Sequence, residues 1–332
     1  MNKLASIITP VYNGKAFVHR FLDSVLAQTY DNIELIIIND GSTDCTEIIL
    51  YSYKERFFNR KINYIIIKQE NKGQSEAINQ GLKIFEGDYL TWLDSDDILK
   101  PKHVESKVAF LEVNKDCGMV ISGISVVDEN DIDKELYVFK RNKPKGKDTI
   151  FEDLIKGKNV CYMGAYMLRS SCFLKVNPER SILSPQGVGQ NYQLLLPISY
   201  RYKCGYLDEV LYTYVVRRNS HSHSEKTFED SLSCCNIGKV LLEDIIKLMK
   251  ISDEDYYMKV IQWRYIHNLM DLSIIYKDLA LLEEQIKILK KYNMLAMRDL
   301  FSLWEEKYLI VKHLLLIYRK TKKILKKIMG KK

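Results

Sequence analysis

The chain has 332 residues, 46% of them hydrophobic, 28% charged and 11% aromatic, with only 15 Gly and 6 Pro. That is about two domains' worth of chain with a full core, which excludes a disordered, collagen-like or low-complexity protein. The formal charge of +7 belongs to the end of the chain: residues 307–332 hold ten Lys/Arg and no acid, leaving 40 basic against 43 acidic residues elsewhere, so the body is no basic nucleic-acid-binding surface.

Met1-Asn2-Lys3 leads straight into a strand-like run, so no secretory leader is expected. Leu4 to Val11 is a short apolar run closed by Pro10 and the turn pair Asn13-Gly14. Phe17, Phe21, Leu22, Val25 and Leu26 then recur at helical spacing. Ile33 to Ile38 is a second apolar run, ending at Asn39-Asp40-Gly41-Ser42. Asn63 to Ile67, Tyr89 to Leu93 and Met119 to Ser122 are predicted as further strands, with a helix over Ser75 to Phe85. Short buried strands alternating with helices call for an α/β fold with a mostly parallel, doubly wound sheet, whose ligands bind beyond the C-terminal strand ends.

Acidic and small residues stand at those ends. The first strand ends in Thr9-Pro10-Val11-Tyr12-Asn13, the second in Asn39-Asp40-Gly41-Ser42-Thr43-Asp44, the fourth in Asp94-Ser95-Asp96-Asp97. Two like charges near 4 Å repel by about 1 kcal/mol in water and about 4 kcal/mol at an effective dielectric of 20. Exposure, protonation or a divalent cation must offset that repulsion; hard oxygen ligands favour Mg²⁺ or Mn²⁺. The same triplet also reads as an exposed acidic turn before a helix starting near Pro101. No GxxxxGK[ST] is present and no GxGxxG follows a strand, so a bound phosphate would be neutralised by metal, as suits a nucleotide-sugar donor.

Ser6 to Asn13, Ser24 to Tyr30 (SVLAQTY), Ile37 to Asp44 (IINDGSTD), Asn71 to Ser75, Asn79 to Leu82, Gly87-Asp88-Tyr89 and Leu93 to Asp97 resemble, in that order, the opening of a family 2 glycosyltransferase of the bacterial surface-polysaccharide type. The resemblance covers about residues 3–125 and is diffuse beyond. It implies a GT-A fold and inverting transfer from a nucleotide diphosphate sugar, a UDP-sugar above all, with Mn²⁺ or Mg²⁺. By position it places Thr9, Pro10 and Tyr12 in the nucleoside pocket and Asp40 on the uracil or its equivalent. Asn71 and Gly73 approach the nucleotide, Asp94 and Ser95 the ribose or sugar, and Asp96 the metal. Asp97 is a second carboxylate of the same motif.

Inversion is an in-line displacement, so the acceptor hydroxyl needs a general base opposite the departing diphosphate. The family offers a Glu-Asp pair at the start of a helix; here Gln190-Asn191 stands in that place, and an amide positions but does not deprotonate. Three explanations stay open: another carboxylate supplies the base, the local alignment is shifted, or the chain is a non-catalytic relative that binds a nucleotide sugar or a partner enzyme. Asp208 and Glu209 are proton acceptors on offer before the following strand. Arg217 or Arg218 suits diphosphate oxygens, and His221 or His223 could complete a metal shell beside Asp96. A sugar-phosphate nucleotidyltransferase is the other α/β, metal-using alternative, but Pro10 to Lys15 lacks its Gly-rich basic loop.

These readings give a GT-A domain over 1–225 (nucleotide-sugar half 1–125, acceptor half 126–225), a helical appendage over 226–306 and a basic tail over 307–332. In the appendage Ile237, Leu241, Ile245 and Leu248 form one stripe, Tyr257, Ile261, Tyr265 and Leu269 another, and Leu282, Ile286 and Leu289 a third. In the tail Leu314, Ile317, Ile324, Leu325 and Ile328 share a face crowded by Lys and Arg, the pattern of a helix lying in an anionic membrane surface. No run reaches the ~18 apolar residues of a span. The expectation is a cytoplasmic protein peripheral to the inner face of the membrane, acting on a glycan or lipid-linked glycan acceptor, without nucleic acid.

Overall fold

In the computed structural model, residues 3–140, 150–158, 162–185, 190–217 and 227–292 are described. The elements run β1 (Ala5–Val11), α1 (Val18–Leu26), β2 (Ile33–Asp40), α2 (Thr46–Ser52), α3 (Lys54–Asn59), β3 (Asn63–Gln69), α4 (Gln74–Ile84), β4 (Tyr89–Trp92), β5 (Ile98–Leu99), α5 (His103–Val113), β6 (Cys117–Asp128) and β7 (Asp131–Phe139). Then follow α6 (Phe151–Ile155), a 3₁₀ turn (Met163–Ala165), β8 (Tyr166–Arg169), α7 (Ser170–Val176), α8 (Asn191–Arg201), β9 (Lys203–Val216), α9 (Phe228–Met249), α10 (Glu254–Tyr276) and α11 (Leu279–Lys291).

One mixed sheet has the order β3-β2-β1-β4-β8-β6-β9-β5, with β7 paired to β6. Strands β3, β2, β1 and β4 are parallel, and β6 runs parallel to β9. The short β8 is antiparallel to both β4 and β6, joining the two parallel parts, and β5 and β7 are also antiparallel to their partners. Every residue of β1 and β2 is buried, which is why both read as mainly apolar runs instead of alternating ones. The helix α4 lies close on β1: a Cβ added at Gly81 would sit 2.5 Å from Ile8 Cγ2. Two acids, Glu34 and Asp40, are buried in these strands, and the first is well served. Glu34 accepts from Ser6 Oγ (2.6 Å), the Glu86 amide (3.1 Å) and Asn63 Nδ2 (3.3 Å).

The chain divides into two compact units, residues 1–225 with 244–251, and residues 226–243 with 252–332. In the second, Ile266 and Met270 of α10 pack with Leu282, Ile286 and Leu289 of α11. Lys277 takes the left-handed turn between these helices, and the Asp278 carboxylate caps α11 by accepting from the Leu281 amide. Two of the predicted stripes shift: Leu241, Leu242, Ile245 and Ile246 are buried in α9 while Leu248 in its last turn is 64% exposed, and Met270 is buried in α10 in place of Leu269. The buried faces are wider than one ladder, so adjacent positions join them. Among the described residues no helix is long and apolar enough to cross a membrane.

Candidate active site

Beyond the C-terminal ends of β1, β2 and β4, three loops are tied together by short polar side chains. Asn13, at φ 48°, accepts from the Thr43 amide (2.8 Å) while its own amide donates to Ser42 Oγ (3.0 Å). Thr46 Oγ1 accepts from the Gly14 amide (2.7 Å), and Asp44 accepts from the Lys15 amide (3.2 Å). The turn pair that ends β1 is thereby fixed to the Asp-Gly-Ser-Thr turn that ends β2. Tyr12 stands 47% exposed above it. Below it, Thr9 Oγ1 and Asn39 Nδ2 are buried without a hydrogen-bond partner among the described residues, so each bears the desolvation of a polar group.

Asp40 is 4% exposed and anchors the loop before α4. Its Oδ1 accepts from Gln69 Nε2 (2.7 Å) and the Lys72 amide (2.9 Å), and its Oδ2 from the Gly73 amide (3.0 Å). Three donors leave room for about one more on a carboxylate. The loop can close this tightly because Gly41 lies at φ 72° with the Asn71 amide 2.7 Å from where its Cβ would be, and Gly73 begins α4 at φ 87°. Asn71 itself is exposed on the loop.

The acidic turn after β4 is held from three sides, and its carboxylates have separate surroundings. Asp94 accepts from Gln74 Nε2 (2.8 Å) and is pushed up to about 7 by desolvation and by Asp96. Ser95 is buried. Asp96 is partly exposed: its carbonyl accepts from Arg20 Nε (3.2 Å) and Nη2 (2.7 Å), and its Oδ2 meets Arg217 Nε and Nη2, each at 2.6 Å. Asp97 is buried, accepting from Tyr212 Oη at Oδ2 (2.7 Å) and the Val215 amide at Oδ1 (2.8 Å). Burial, then Asp96 and Asp94, holds Asp97 well above the ordinary carboxylate range. The strand β9 carries both Tyr212 and Val215, and β5 pairs with it at Thr213 and Tyr212, so the acidic turn is clamped between β4 and β9.

The N-terminus of α8 reaches the same strand end. Trp92 Nε1 donates to Asn191 Oδ1 (2.9 Å), and Gln190 is buried as the residue preceding the helix. Asp208 is elsewhere: its side chain is 92% exposed, paired with Lys140 Nζ at 3.3 Å, and four residues of β9, about 13 Å, separate it from Tyr212. His221, His223, Arg218 and the tail 307–332 lie outside the described residues.

A cavity of about 500 Å³ opens beside Asp96, lined among others by Lys15, Phe17, Arg20, Asp44, Glu129 and Arg217. Sequence reasoning passed over Phe17, Arg20, Gln74, Glu129 and Tyr212. Gln74 stands inside the Asn71 to Ser75 segment and Tyr212 in a family-like strand, but no role attaches to either there, and only the helix and strand register brings these side chains to the acidic turn. Among the described residues no three His, Cys, Asp or Glu side chains form a metal-holding group. The donor set still fits a cation of the Mg²⁺ or Mn²⁺ type, which is held by one or two carboxylates together with substrate phosphates and water. Asp96 Oδ2 already carries a positive partner in Arg217.

The family model described as Glycosyl transferase family 2 matches residues 6–173. An uncharacterized glycosyltransferase of Rickettsia typhi is 40% identical over 149 residues, 44% of each chain. Glycosyltransferase GlyG of Streptococcus pneumoniae is 34% identical over 155 residues, 46% of this chain and 48% of that protein. The aligned part thus spans less than half the length of these relatives. Residues 1–349 of S. aureus TarS, solved in complex with UDP-GlcNAc, superpose with a TM-score of 0.60 at 16% identity, covering 91% of this chain and 90% of that one. The mannosyltransferase PcManGT from Pyrobaculum calidifontis, solved with GDP-Man and Mn²⁺, gives 0.50 at 13% identity over 96% and 88%. Likeness at these identities shows the fold, which is GT-A-like.

Proposed function

This chain belongs to glycosyl transferase family 2, and from that premise we propose that it moves a sugar from a nucleotide diphosphate sugar, a UDP-sugar first, to a lipid-linked oligosaccharide or surface polysaccharide, with inversion at the transferred carbon. The observation that carries this reading is the clamped acidic turn: Asp94 and Asp96 emerge at the C-terminal end of β4, one tied to α4 through Gln74 and the other facing two arginines. The nucleoside would lie over Thr9, Pro10 and Tyr12 and against the Asn71–Gly73 loop that Asp40 holds. Thr9 Oγ1 and Asn39 Nδ2 are buried polar groups near that floor for which a nucleotide or its water could supply partners.

Asp96, with Asp94 beside it, would hold the divalent cation. When bound, that cation neutralises the diphosphate as it leaves. Arg20 fixes the peptide that presents Asp96, so this carboxylate is aimed before the donor arrives. Asp97 sets the turn through Tyr212 and Val215 and does not face the donor. Gln190 and Asn191, tied to Trp92 of β4, would orient the acceptor hydroxyl without taking its proton. Attack of that hydroxyl on the anomeric carbon forms the new glycosidic bond as the bond to the diphosphate breaks; the hydroxyl proton passes to a carboxylate or to solvent.

The lysines and arginines of residues 307–332 support a peripheral membrane location for this reaction. A panel of nucleotide sugars tested by thermal shift with Mn²⁺ and with EDTA, followed by nucleotide release, checks the assignment. One donor should stabilise the protein only with Mn²⁺ and slowly release its diphosphate. Indifference to every donor, with or without metal, would overturn it.

A further inference from the structure

The Asp96 carboxylate is not waiting bare for a cation. Arg217, the first residue after β9, places Nε and Nη2 on its Oδ2, both at 2.6 Å. The pair is sheltered, with the two side chains 23% and 20% exposed. On its other face the guanidinium lies 4.1 Å from the centre of the Phe17 ring, and Phe17 is itself buried. Charge-assisted contacts at this distance are short and strong, and the aromatic face adds a cation–π attraction in a partly desolvated place. Phe17 immediately precedes α1, Asp96 follows β4 and Arg217 follows β9. Three separate elements converge on one guanidinium, so the pair is built and is no chance meeting of two long surface side chains.

The neighbouring carboxylates can add to Asp96 but not replace it, Asp94 through the oxygen that does not accept from Gln74. Asp97 is turned to Tyr212 and Val215, and Asp94 accepts from Gln74. A cation that takes Asp96 Oδ2 at bonding distance occupies the space of the Arg217 nitrogens, and two positive charges at that separation repel.

We propose that Arg217 is a displaceable plug of the cation site: its guanidinium and the divalent cation are alternative partners of Asp96. This rests on the assignment of Asp96 as the cation-holding residue. Without donor, the plug keeps Asp96 neutralised and the cation out. When donor and cation arrive together, the diphosphate supplies a second anion that can receive the released guanidinium in a bidentate contact. Cation and donor then bind cooperatively, because each alone must work against the ion pair.

Mn²⁺ binding to the full chain without nucleotide, followed by the electron paramagnetic resonance signal of free Mn²⁺, tests this directly. Removing the competitor in Arg217→Ala should tighten Mn²⁺ by on the order of tenfold or more, the worth of a hydrogen bond to a charged group. Arg217→Lys, which keeps the charge but loses the fork, should fall between. Phe17→Leu, which removes the ring but not the arginine, should tighten Mn²⁺ more weakly in the same direction. The gain should vanish when Asp96→Asn is added to Arg217→Ala. In the wild type, UDP should raise Mn²⁺ affinity by a larger factor than in Arg217→Ala. Unchanged or weaker Mn²⁺ binding in a folded Arg217→Ala, with UDP-dependent Mn²⁺ binding intact in the wild type, would overturn the plug and leave the site assignment standing. Mn²⁺ binding that survives Asp96→Asn with UDP present would overturn both.

Discussion

Removing the carboxylate at Asp96 and at Asp97 should have separable consequences, because Asp96 is partly exposed and meets Arg217 while Asp97 is buried against Tyr212 and Val215. In Asp97→Ala the buried Tyr212 hydroxyl and Val215 amide both lose their acceptor, which costs about 2–4 kcal/mol for two orphaned donors, read as a lower urea midpoint. Asp97→Asn should be much milder. Its amide oxygen can accept from the Val215 amide, and its NH₂ can donate to the tyrosine oxygen once the Tyr212 hydroxyl, which donates in the wild type, turns away. Asp96→Asn should lower turnover by on the order of a thousandfold, since the carboxylate that would hold the cation is gone. A variant of Asp96 with full activity would end the cation assignment. A second residue-scale consequence lies at the buried pair Lys107 and His103. His103 Nδ1 donates to the Leu211 carbonyl (2.9 Å), so its Nε2 accepts from Lys107 Nζ (3.2 Å), which also donates to the Gly164 carbonyl (2.6 Å). A neutral amine has two protons for those two acceptors, whereas an ammonium would bury a third without one. Burial holds both groups well below their ordinary values. The unfolded chain therefore binds more protons, and stability rises with pH up to the ordinary lysine range and is lost as pH falls. Between pH 7 and 10 the stability of the wild type relative to Lys107→Met should grow by up to about 1.4 kcal/mol per pH unit. A flat difference would mean that the lysine is charged in the folded protein.

At the scale of elements, the nucleotide-binding half is legible in the sequence because each of its strands is a short apolar run stopped by a polar turn. The structure places β1 to β4 within one or two residues of those runs, and in the order that sets the acidic ends of β2 and β4 on either side of β1. The later elements carry weaker signals. Strand β5 has two residues, β8 has four, and β7 is exposed along almost its whole length, so none shows the burial pattern on which periodicity depends. Their pairing is set by β6 and β9, which only tertiary structure brings together. The motif reading reached Asp40, Asp94 and Asp96 for the same reason that it missed Arg20 and Phe17: strand ends announce themselves through turn chemistry, while a helix residue that turns back on a site looks like any other. Gly81 shows the opposite case, an ordinary-looking helix glycine with a definite steric duty. Its neighbour at 2.5 Å is Ile8, fully buried in β1 and branched at Cβ, so it cannot swing aside. Gly81→Ala would gain about 0.8–1 kcal/mol in helix propensity but overpack by about 1–3 kcal/mol. A net loss of stability in urea is the expected sign, and a gain would show that α4 can lift from the sheet.

At the scale of the whole molecule the dominant feature is the separation of charge along the chain. The body carries a slight acidic excess while the last 26 residues carry ten positive charges, so any attraction to an anionic surface is concentrated at one end. Each such charge near an anionic bilayer contributes about 1 kcal/mol. Replacing Lys322, Lys323, Lys326 and Lys327 by Gln in the full chain should therefore weaken partition onto phosphatidylglycerol-containing vesicles by on the order of a thousandfold. The Mn²⁺-dependent response to donor should persist, because the supports of the acidic turn among the described residues are Arg20, Gln74, Tyr212, Val215 and Arg217. Salt separates this from hydrophobic insertion. Raising ionic strength from about 0.1 to 1 M shortens the screening length from about 10 to 3 Å and should release the wild type as the substitutions do. Sedimentation with vesicles reads both. Partition that survives both high salt and the four substitutions would remove electrostatics as the cause of membrane association and with it the argument that places the acceptor at the membrane.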